Sequence, residues 1–327
     1  MAYSEEVLHR ARARLLQEKT LYEAETAARR AQVLRDYPRL QEIDQALRQS
    51  VAGAVAAAFR KGEDTTAAIA ALKEKNLALQ REREWILASA ELDESVLDPP
   101  PFCPHCGGSG YVGAGMCECL RELCRQEQKK ELSSLLSGKE SFDGFRLELY
   151  STEPDPNLGV SPRQLMERTF RRCRRYAREF GAGAPSLLFT GGPGLGKTFL
   201  SACIARAVAD NGYSVVYDTA GKLFSDFEAV KFGGNQQDLT RKYLQCDLLI
   251  IDDLGTEMTT QFTQSVLYRV LNDRLLENRP VIVSTNLSDQ ALRQRYSAPI
   301  ASRLLGAFEV CLFLGQDIRQ MHHSRME

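Results

Sequence analysis

The sequence predicts an α/β fold: a five-stranded parallel sheet flanked by helices, behind an N-terminal all-α region and a small cysteine-rich module. Three observations predict it. From Ser186 onward, short apolar runs alternate with segments of helical spacing, the pattern of a parallel sheet covered by helices on both faces. One of those runs, Ser186–Thr190, leads directly into a glycine-rich loop and then a helix. Another, Leu248–Ile251, ends in two adjacent carboxylates, Asp252 and Asp253. Open α/β sheets place their ligands beyond the carboxyl ends of their strands, where these acids fall.

The elements follow in chain order. Residues 4–36 are rich in Arg, Glu and Ala, with Val7, Leu8, Ala11 and Leu15 at helical spacing, and Pro38 interrupts the run. A second helix sets Ile43, Leu47, Val51, Val55 and Phe59 on one face and ends at Lys61-Gly62. A third, capped by Thr65 or Thr66, carries Ile69, Leu72, Leu79 and Ile86 and runs to about Leu92. Together they predict a helical bundle or antiparallel hairpin over residues 1–98. Such a region reads equally as a plain fold and as a partner-binding surface.

Asp98-Pro-Pro-Pro101 is a stiff, extended break. Beyond it, in a module spanning 99–136, Cys103 and Cys106 form a C-x-x-C pair, and Cys117 and Cys119 a C-x-C pair. A ten-residue glycine-rich loop joins the two. Two chelating pairs suit a tetrahedral zinc ion, and four thiolates leave it no open position, so the role is structural. Cys124 and His105 stand as substitutes for the fourth ligand, and a redox pair is the competing reading. The chain has nine cysteines, and its start, Met-Ala-Tyr-Ser-Glu-Glu, lacks a basic or apolar leader. Metal ligands and buried thiols of a cytoplasmic protein are therefore expected rather than disulfides. No apolar run approaches the length of a membrane span.

Residues 137–162 contain Gly138, Pro154, Pro156, Gly159 and Pro162 and read as a linker with one ordered patch, Phe142–Tyr150. Ser161-Pro162 is an N-cap followed by a first-turn proline. The helix it opens sets Arg168, Arg171, Arg172, Arg174, Arg175 and Arg178 against an apolar stripe of Phe170, Cys173, Ala177 and Phe180. The α/β domain then takes residues 163–327.

Within that domain, Gly191, Gly192, Pro193, Gly194, Leu195, Gly196, Lys197 and Thr198 satisfy the phosphate-loop pattern at every position. Glycines let backbone N–H groups turn inward and cradle phosphates at a helix N-terminus, whose dipole favours anions. The loop thus predicts a nucleoside triphosphate, with Lys197 on its β- and γ-phosphates and the Thr198 hydroxyl on Mg²⁺. Asp252 is expected to position that ion through its water shell, and Asp253 to act as general base. Hydrolysis, not binding alone, follows from the pair. Further strands are expected at 214–218, 280–286 and 308–314, with helices near 223–230, 239–244 and 262–278.

Lys222, Phe224, Lys231 and Phe232 interleave charge with aromatic rings, as contact with single-stranded DNA requires. The same segment reads equally as a helix burying Leu223, Phe224 and Phe227 under solvated lysines. The basic helix at 168–178 is a second DNA candidate. The overall formal charge of −1 does not by itself point to nucleic acid.

In order, Gly-Pro-Gly-Leu-Gly-Lys-Thr, Ile-Asp-Asp-Leu-Gly, Ser-Thr-Asn and Ser-Arg-Leu resemble the AAA+ ATPases. Within that class, residues 140–320 resemble the DnaC/DnaI-type loaders of bacterial replicative helicases. The resemblance implies ATP as the nucleotide and Asn286 as a polar sensor that orients water. It implies Arg303 as an arginine finger offered to a neighbouring subunit and Arg319 as a second sensor. It also implies ATP-dependent homo-oligomers, a hexameric DnaB-type helicase held by the N-terminal region, and single-stranded DNA bound by the ATPase domain. The IstB-type transposition helper ATPases share this core, but a cysteine-rich module behind long helices resembles the loaders more. A metabolic P-loop kinase leaves the Ser-Thr-Asn and Ser-Arg-Leu elements unexplained. Two features depart from the general AAA+ pattern. Asp-Asp stands where most members have Asp-Glu, which implies slow turnover. Only eight residues follow Arg319, so no C-terminal helical lid is expected.

Overall fold

The computed structural model describes residues 3–58, 65–135, 140–233 and 237–318. The expectations at Phe59, Lys61, Gly62, Gly138 and Arg319 fall outside these residues, as do the side chains of Val51, Val55, Ile69 and Phe232. The chain forms two compact units, Ala13–Cys119 and Met1–Arg12 with Leu120–Glu327.

The smaller unit holds most of α1 (Glu5–Asp36), then α2 (Pro38–Ala58) and α3 (Thr65–Ser89). Proline opens α2 because its fixed φ and missing N–H suit a first helical position. Val33, Leu40, Leu87 and Leu97 form a small buried core. Arg39 on α2 donates to both oxygens of Glu82 on α3, at 2.7 and 2.9 Å. That pair is exposed and contributes little. The cysteine-rich segment adds a short antiparallel hairpin, β1 (Tyr111–Val112) and β2 (Gly115–Met116).

In the larger unit, most of α4 (Glu118–Leu135) and all of α5 (Pro162–Arg178) precede the sheet. Ser161 and Gln164 close a reciprocal capping box at the start of α5. Then follow β3 (Leu187–Thr190), α6 (Lys197–Asp210), β4 (Val215–Thr219), α7 (Ala220–Gly233) and α8 (Gln237–Gln245). After them come β5 (Leu248–Leu254), α9 (Gln261–Leu276), β6 (Val281–Thr285), α10 (Asp289–Arg295), α11 (Ala298–Gly306) and β7 (Glu309–Leu312). The strands lie in the order β4-β5-β6-β3-β7, all parallel. The carboxyl ends of β5, β6 and β3 are therefore neighbours.

Side chains alternate across the sheet. Leu187, Phe189 and Ile250 pack with Met166, Leu200 and Ile204 on one face. Leu188, Leu249 and Ile251 pack with Leu223, Leu267 and Val270 on the other. At the β4 edge, the Gln128 side-chain amide donates to Tyr213 O at 2.9 Å and accepts from Val215 N at 3.0 Å. It pairs with strand backbone that would otherwise invite another chain.

One buried charge had no signal in the apolar pattern. Arg274 on α9 is fully buried and donates to the carbonyls of Tyr243 (2.9 Å), Cys246 (3.0 Å) and Pro280 (2.8 Å). It thereby ties the carboxyl end of α8 to the start of β6, where orphan carbonyls need donors. Among the described residues, no helix is long and apolar enough to cross a membrane.

Candidate functional site

The glycine-rich loop joins a fully buried β3 to the first turn of α6. Gly191 and Gly194 take positive φ values, 144° and 68°. A Cβ on Gly191 would collide with the Phe313 carbonyl, and one on Gly194 with the Asp317 carboxylate. Conformation favours glycine at both positions, and at Gly191, where the collision is with backbone, space requires it as well.

Lys197 is buried at the base of the loop. Its ammonium donates to Gly191 O (2.7 Å), Gly192 O (2.5 Å) and Asn286 Oδ1 (2.7 Å). The loop lysine and the polar residue beyond β6 are therefore in direct contact, 89 positions apart in sequence. Lys197, Thr198, Asp253 and Asn286 line one pocket of about 390 Å³. A cationic donor at a helix N-terminus, set in a loop of left-handed glycines, fits a polyphosphate.

The two acids of β5 occupy different settings. Between Ile251 and Leu254 the pairing with β6 shifts register, so Asp252 and Asp253 together oppose Ser284. That bulge gives Asp253 a left-handed backbone, φ 54°. Asp253 lines the pocket. Asp252 is buried, accepting from Tyr217 Oη at 2.9 Å and from Ser284 Oγ. Ser284 Oγ also accepts from Asp253 N at 3.0 Å, so one hydroxyl bridges both acids. Burial and the adjacent Asp252 carboxylate push the Tyr217 phenol far above its ordinary range, which keeps it a donor.

The rest of the pocket comes from residues that read as linker. Gly144, Phe145, Arg146, Leu149 and Tyr150 line it. Phe145 stacks on Phe170 (centroids 5.1 Å apart) and on Tyr150 (5.8 Å). Tyr150 Oη donates to Leu195 O at 2.9 Å, hooking this segment onto the loop. The available signal was the density of aromatic residues within a Pro- and Gly-rich stretch.

Arg303 lies outside this pocket. Its guanidinium sits 4.4 Å over the Tyr268 ring and donates to Tyr268 Oη (3.0 Å) and Asn272 Oδ1 (2.5 Å) on α9. Of the DNA candidates on α7, Phe224 is buried with Leu223 and Phe227 in the core. It is therefore not available for base stacking. Lys222 pairs with Asp226, and Lys231 lies 4.9 Å over the Phe262 ring.

Four of the nine cysteines gather in the smaller unit. The four sulfurs of Cys103, Cys106, Cys117 and Cys119 lie within 4.8 Å of one another. The Cys103–Cys117 and Cys106–Cys119 separations are 3.8 and 3.4 Å. Four thiolates about 2.3 Å from one zinc ion would stand about 3.8 Å apart, so the set fits. The fourth sulfur of this cluster is that of Cys119, and neither Cys124 nor His105 belongs to it. Desolvation raises the Cys106 thiol, but hydrogen bonds led by the Gly110 N–H (3.3 Å) and joined by the Cys119 and Cys103 thiols and the Gly108 N–H outweigh it and lower the thiol to about 6.

Residues 172–306 match the family model of IstB-like ATP binding proteins. Over this segment the chain is similar to the IstB-like ATP binding proteins. Over 134 residues the chain is 28% identical to YdaV, an uncharacterised protein of Escherichia coli K12, covering 41% of this chain and 54% of that protein. Over 135 residues it is 24% identical to the replicative helicase loader DnaC of the same strain, covering 41% and 55%. The chain spans about half the length of the curated relatives it matches. A crystal structure of the DnaC helicase loader overlays at TM-score 0.45 and 19% identity, covering 54% of this chain and 97% of that one. One of DnaI overlays at 0.43 and 23%, covering 55% and 91%.

Proposed function

We propose that the chain is an ATP-switched loader of a hexameric, DnaB-type replicative helicase. The observation that carries the switch is the convergence of Lys197, Asp253 and Asn286 on one pocket beside the phosphate loop. The naming of relatives as replicative helicase loaders supports the choice of partner.

In this reading the loop amides and Lys197 bind the β- and γ-phosphates of ATP, and the wall built from Phe145 and Tyr150 takes the base. Thr198 and Asp252 would hold Mg²⁺, which neutralises phosphate charge when bound. Asp253 accepts a proton from the attacking water, and Asn286 orients that water. Arg303 reaches the nucleotide of a neighbouring subunit in an ATP-dependent homo-oligomer. Such a trans arginine is worth about 10³–10⁵ in rate. Arg319 serves as a second sensor. Cys103, Cys106, Cys117 and Cys119 would hold a structural zinc. Residues 1–98 contact the helicase, 99–136 form the zinc module, 137–162 link, and 163–327 bind ATP and single-stranded DNA in the cytoplasm.

Native mass spectrometry of the chain with its host's hexameric helicase, with and without ATP, tests the assignment. A nucleotide-dependent complex with one zinc per chain is expected. The family description favours one second reading, an IstB-type transposition helper. A zinc-loaded, ATP-binding chain that ignores the helicase and captures a transposase would replace the first reading with the second.

A further inference from the structure

Helix α5 is the most basic of the described elements. Seven of its 17 residues are arginine and one is acidic, in a chain whose formal net charge is −1. Two of the seven are structural. Arg163 Nε donates to Tyr150 O at 3.0 Å, and Arg172 pairs with Glu309 and donates to Val310 O at 3.3 Å. The other five, Arg168, Arg171, Arg174, Arg175 and Arg178, are exposed. Among the described residues, the side chains of Arg168, Arg174 and Arg175 make no hydrogen bond or ion pair. Arg171 and Arg178 pair only with Glu167 and Glu179, close by in sequence.

The opposite side of the helix needs none of this charge. Met166, Thr169, Cys173, Tyr176 and Ala177 are buried, and the apolar ones among them pack in the sheet core. At about 100° per residue, Arg168, Arg171, Arg175 and Arg178 fall within a stripe about 80° wide and about 15 Å long. Guanidinium groups present flat forks that match phosphate oxygens in pairs.

We propose that this stripe carries the phosphodiester backbone of single-stranded DNA, held by charge without reading bases. The inference rests on the single-stranded DNA component of the loader reading and assigns that role to a surface. Four positive side chains in a row are complementary to a polyanion. The row is straight and convex. A duplex, stiff over about 150 bp, winds its backbone away from such a row, whereas a flexible single strand can follow it. A protein partner would need apolar anchors at its centre, and the solvent side of α5 offers Gln164 and Glu167 between the arginines.

The test is a salt titration of labelled oligo-dT bound to the full chain, from 50 to 200 mM. Removing four contacts in R168Q/R171Q/R175Q/R178Q should flatten the slope of log K against log salt by about 2.8, at about 0.7 per single-strand phosphate. Over that fourfold rise in salt, the wild type should lose about 50-fold more affinity than the variant. The four-lysine counterpart should keep the wild-type slope, and ATP affinity should be unchanged in both. Each single Arg→Gln change should flatten the slope by about 0.7, which keeps the test intact if the fourfold variant misfolds. Wild-type binding with an unchanged slope in the variants would overturn the surface while sparing the loader reading. A wild type that ignores oligo-dT at 50 mM salt would overturn both. An equal slope change on duplex DNA of the same length would overturn the single-strand assignment.

Discussion

Replacing Ser284 by alanine isolates what holds the two strand-end acids in their different settings. Ser284 is fully buried, so no solvent takes over its contacts. Its hydroxyl donates to Asp252 and accepts from the Asp253 N–H at 3.0 Å. Alanine removes one charge-assisted hydrogen bond, about 1.5–3 kcal/mol, and leaves one buried amide without an acceptor, about 1–3 kcal/mol. Tyr217 still donates to Asp252 at 2.9 Å, so the carboxylate keeps a partner and the total falls near the lower half of the sum, about 2.5–4 kcal/mol. Urea unfolding should show a lower midpoint at unchanged m. The left-handed Asp253 backbone, itself costing about 1–3 kcal/mol, loses its anchor and relaxes. ATP turnover should therefore fall by about 10–100-fold, a 1.4–2.8 kcal/mol change in barrier. ATP affinity should hold, because neither the glycine loop nor Lys197 touches Ser284 in the hydrogen bonds that define the site. Tyr217→Phe, which removes a single bond to Asp252, should cost less in both assays. A Ser284→Ala protein within about 0.5 kcal/mol of wild type, the ordinary scatter of surface changes, and with full turnover would refute the bridge.

Other expectations follow from single contacts. Lys197→Ala should abolish tight binding of a fluorescent ATP analogue while zinc content stays at one per chain; retained affinity would remove Lys197 from the phosphate site. Arg303→Ala should leave ATP binding intact and eliminate ATPase that rises with protein concentration, since among the described residues its guanidinium hydrogen-bonds to Tyr268, Asn272 and a carbonyl of its own helix, all outside the pocket. Arg274→Met should destabilise by about 3–5 kcal/mol in urea, because it orphans buried carbonyls that a thioether cannot serve. In chelator-treated protein, alkylation of Cys106 should titrate with a midpoint of about 6. The lowered thiol stays thiolate above that pH and loses reactivity as pH falls through it. A midpoint in the usual thiol range near 8.5 would mean that the hydrogen bonds from the Gly110 N–H and the neighbouring Cys119 and Cys103 thiols do not act as assigned.

Much of the larger unit was legible because its signals are local. A buried strand, a glycine loop and a helix occur in one run of residues, and each buried strand of the sheet announces itself as an apolar block. The four cysteines were equally plain, though only the folded hairpin shows that Cys119 completes the set. What escaped is what depends on distant pairing. Phe145 and Tyr150 read as part of an ordered patch in a linker, with nothing to tie them to the phosphate loop until the fold stacks Phe145 on Phe170 and hooks Tyr150 onto Leu195. Arg274 looks like a polar interruption of α9 until three carbonyls from outside the helix converge on it. Ser284 is an ordinary strand residue until a bulge two strand positions wide sets both acids opposite it. On α7 the interleaved Lys and Phe residues served two readings, and only burial of Phe224 separated them.

The contacts of the loop show how one site can report in several directions. Tyr150 donates through its hydroxyl to Leu195 O, and Ile318 donates through its N–H to the neighbouring Gly194 O at 3.1 Å. At its base, Lys197 shares its ammonium between loop carbonyls and Asn286. An ammonium has three protons to donate, so phosphate oxygens compete with these carbonyls and with Asn286 for the same hydrogens. In the proposed cycle, engagement of the γ-phosphate loosens the Lys197–Asn286 bond and leaves the amide able to turn toward water. Loss of that phosphate restores the bond. Under that proposal Asn286 would be coupled to nucleotide state through exchange of hydrogen-bond partners on one lysine, with no large movement of the sheet required.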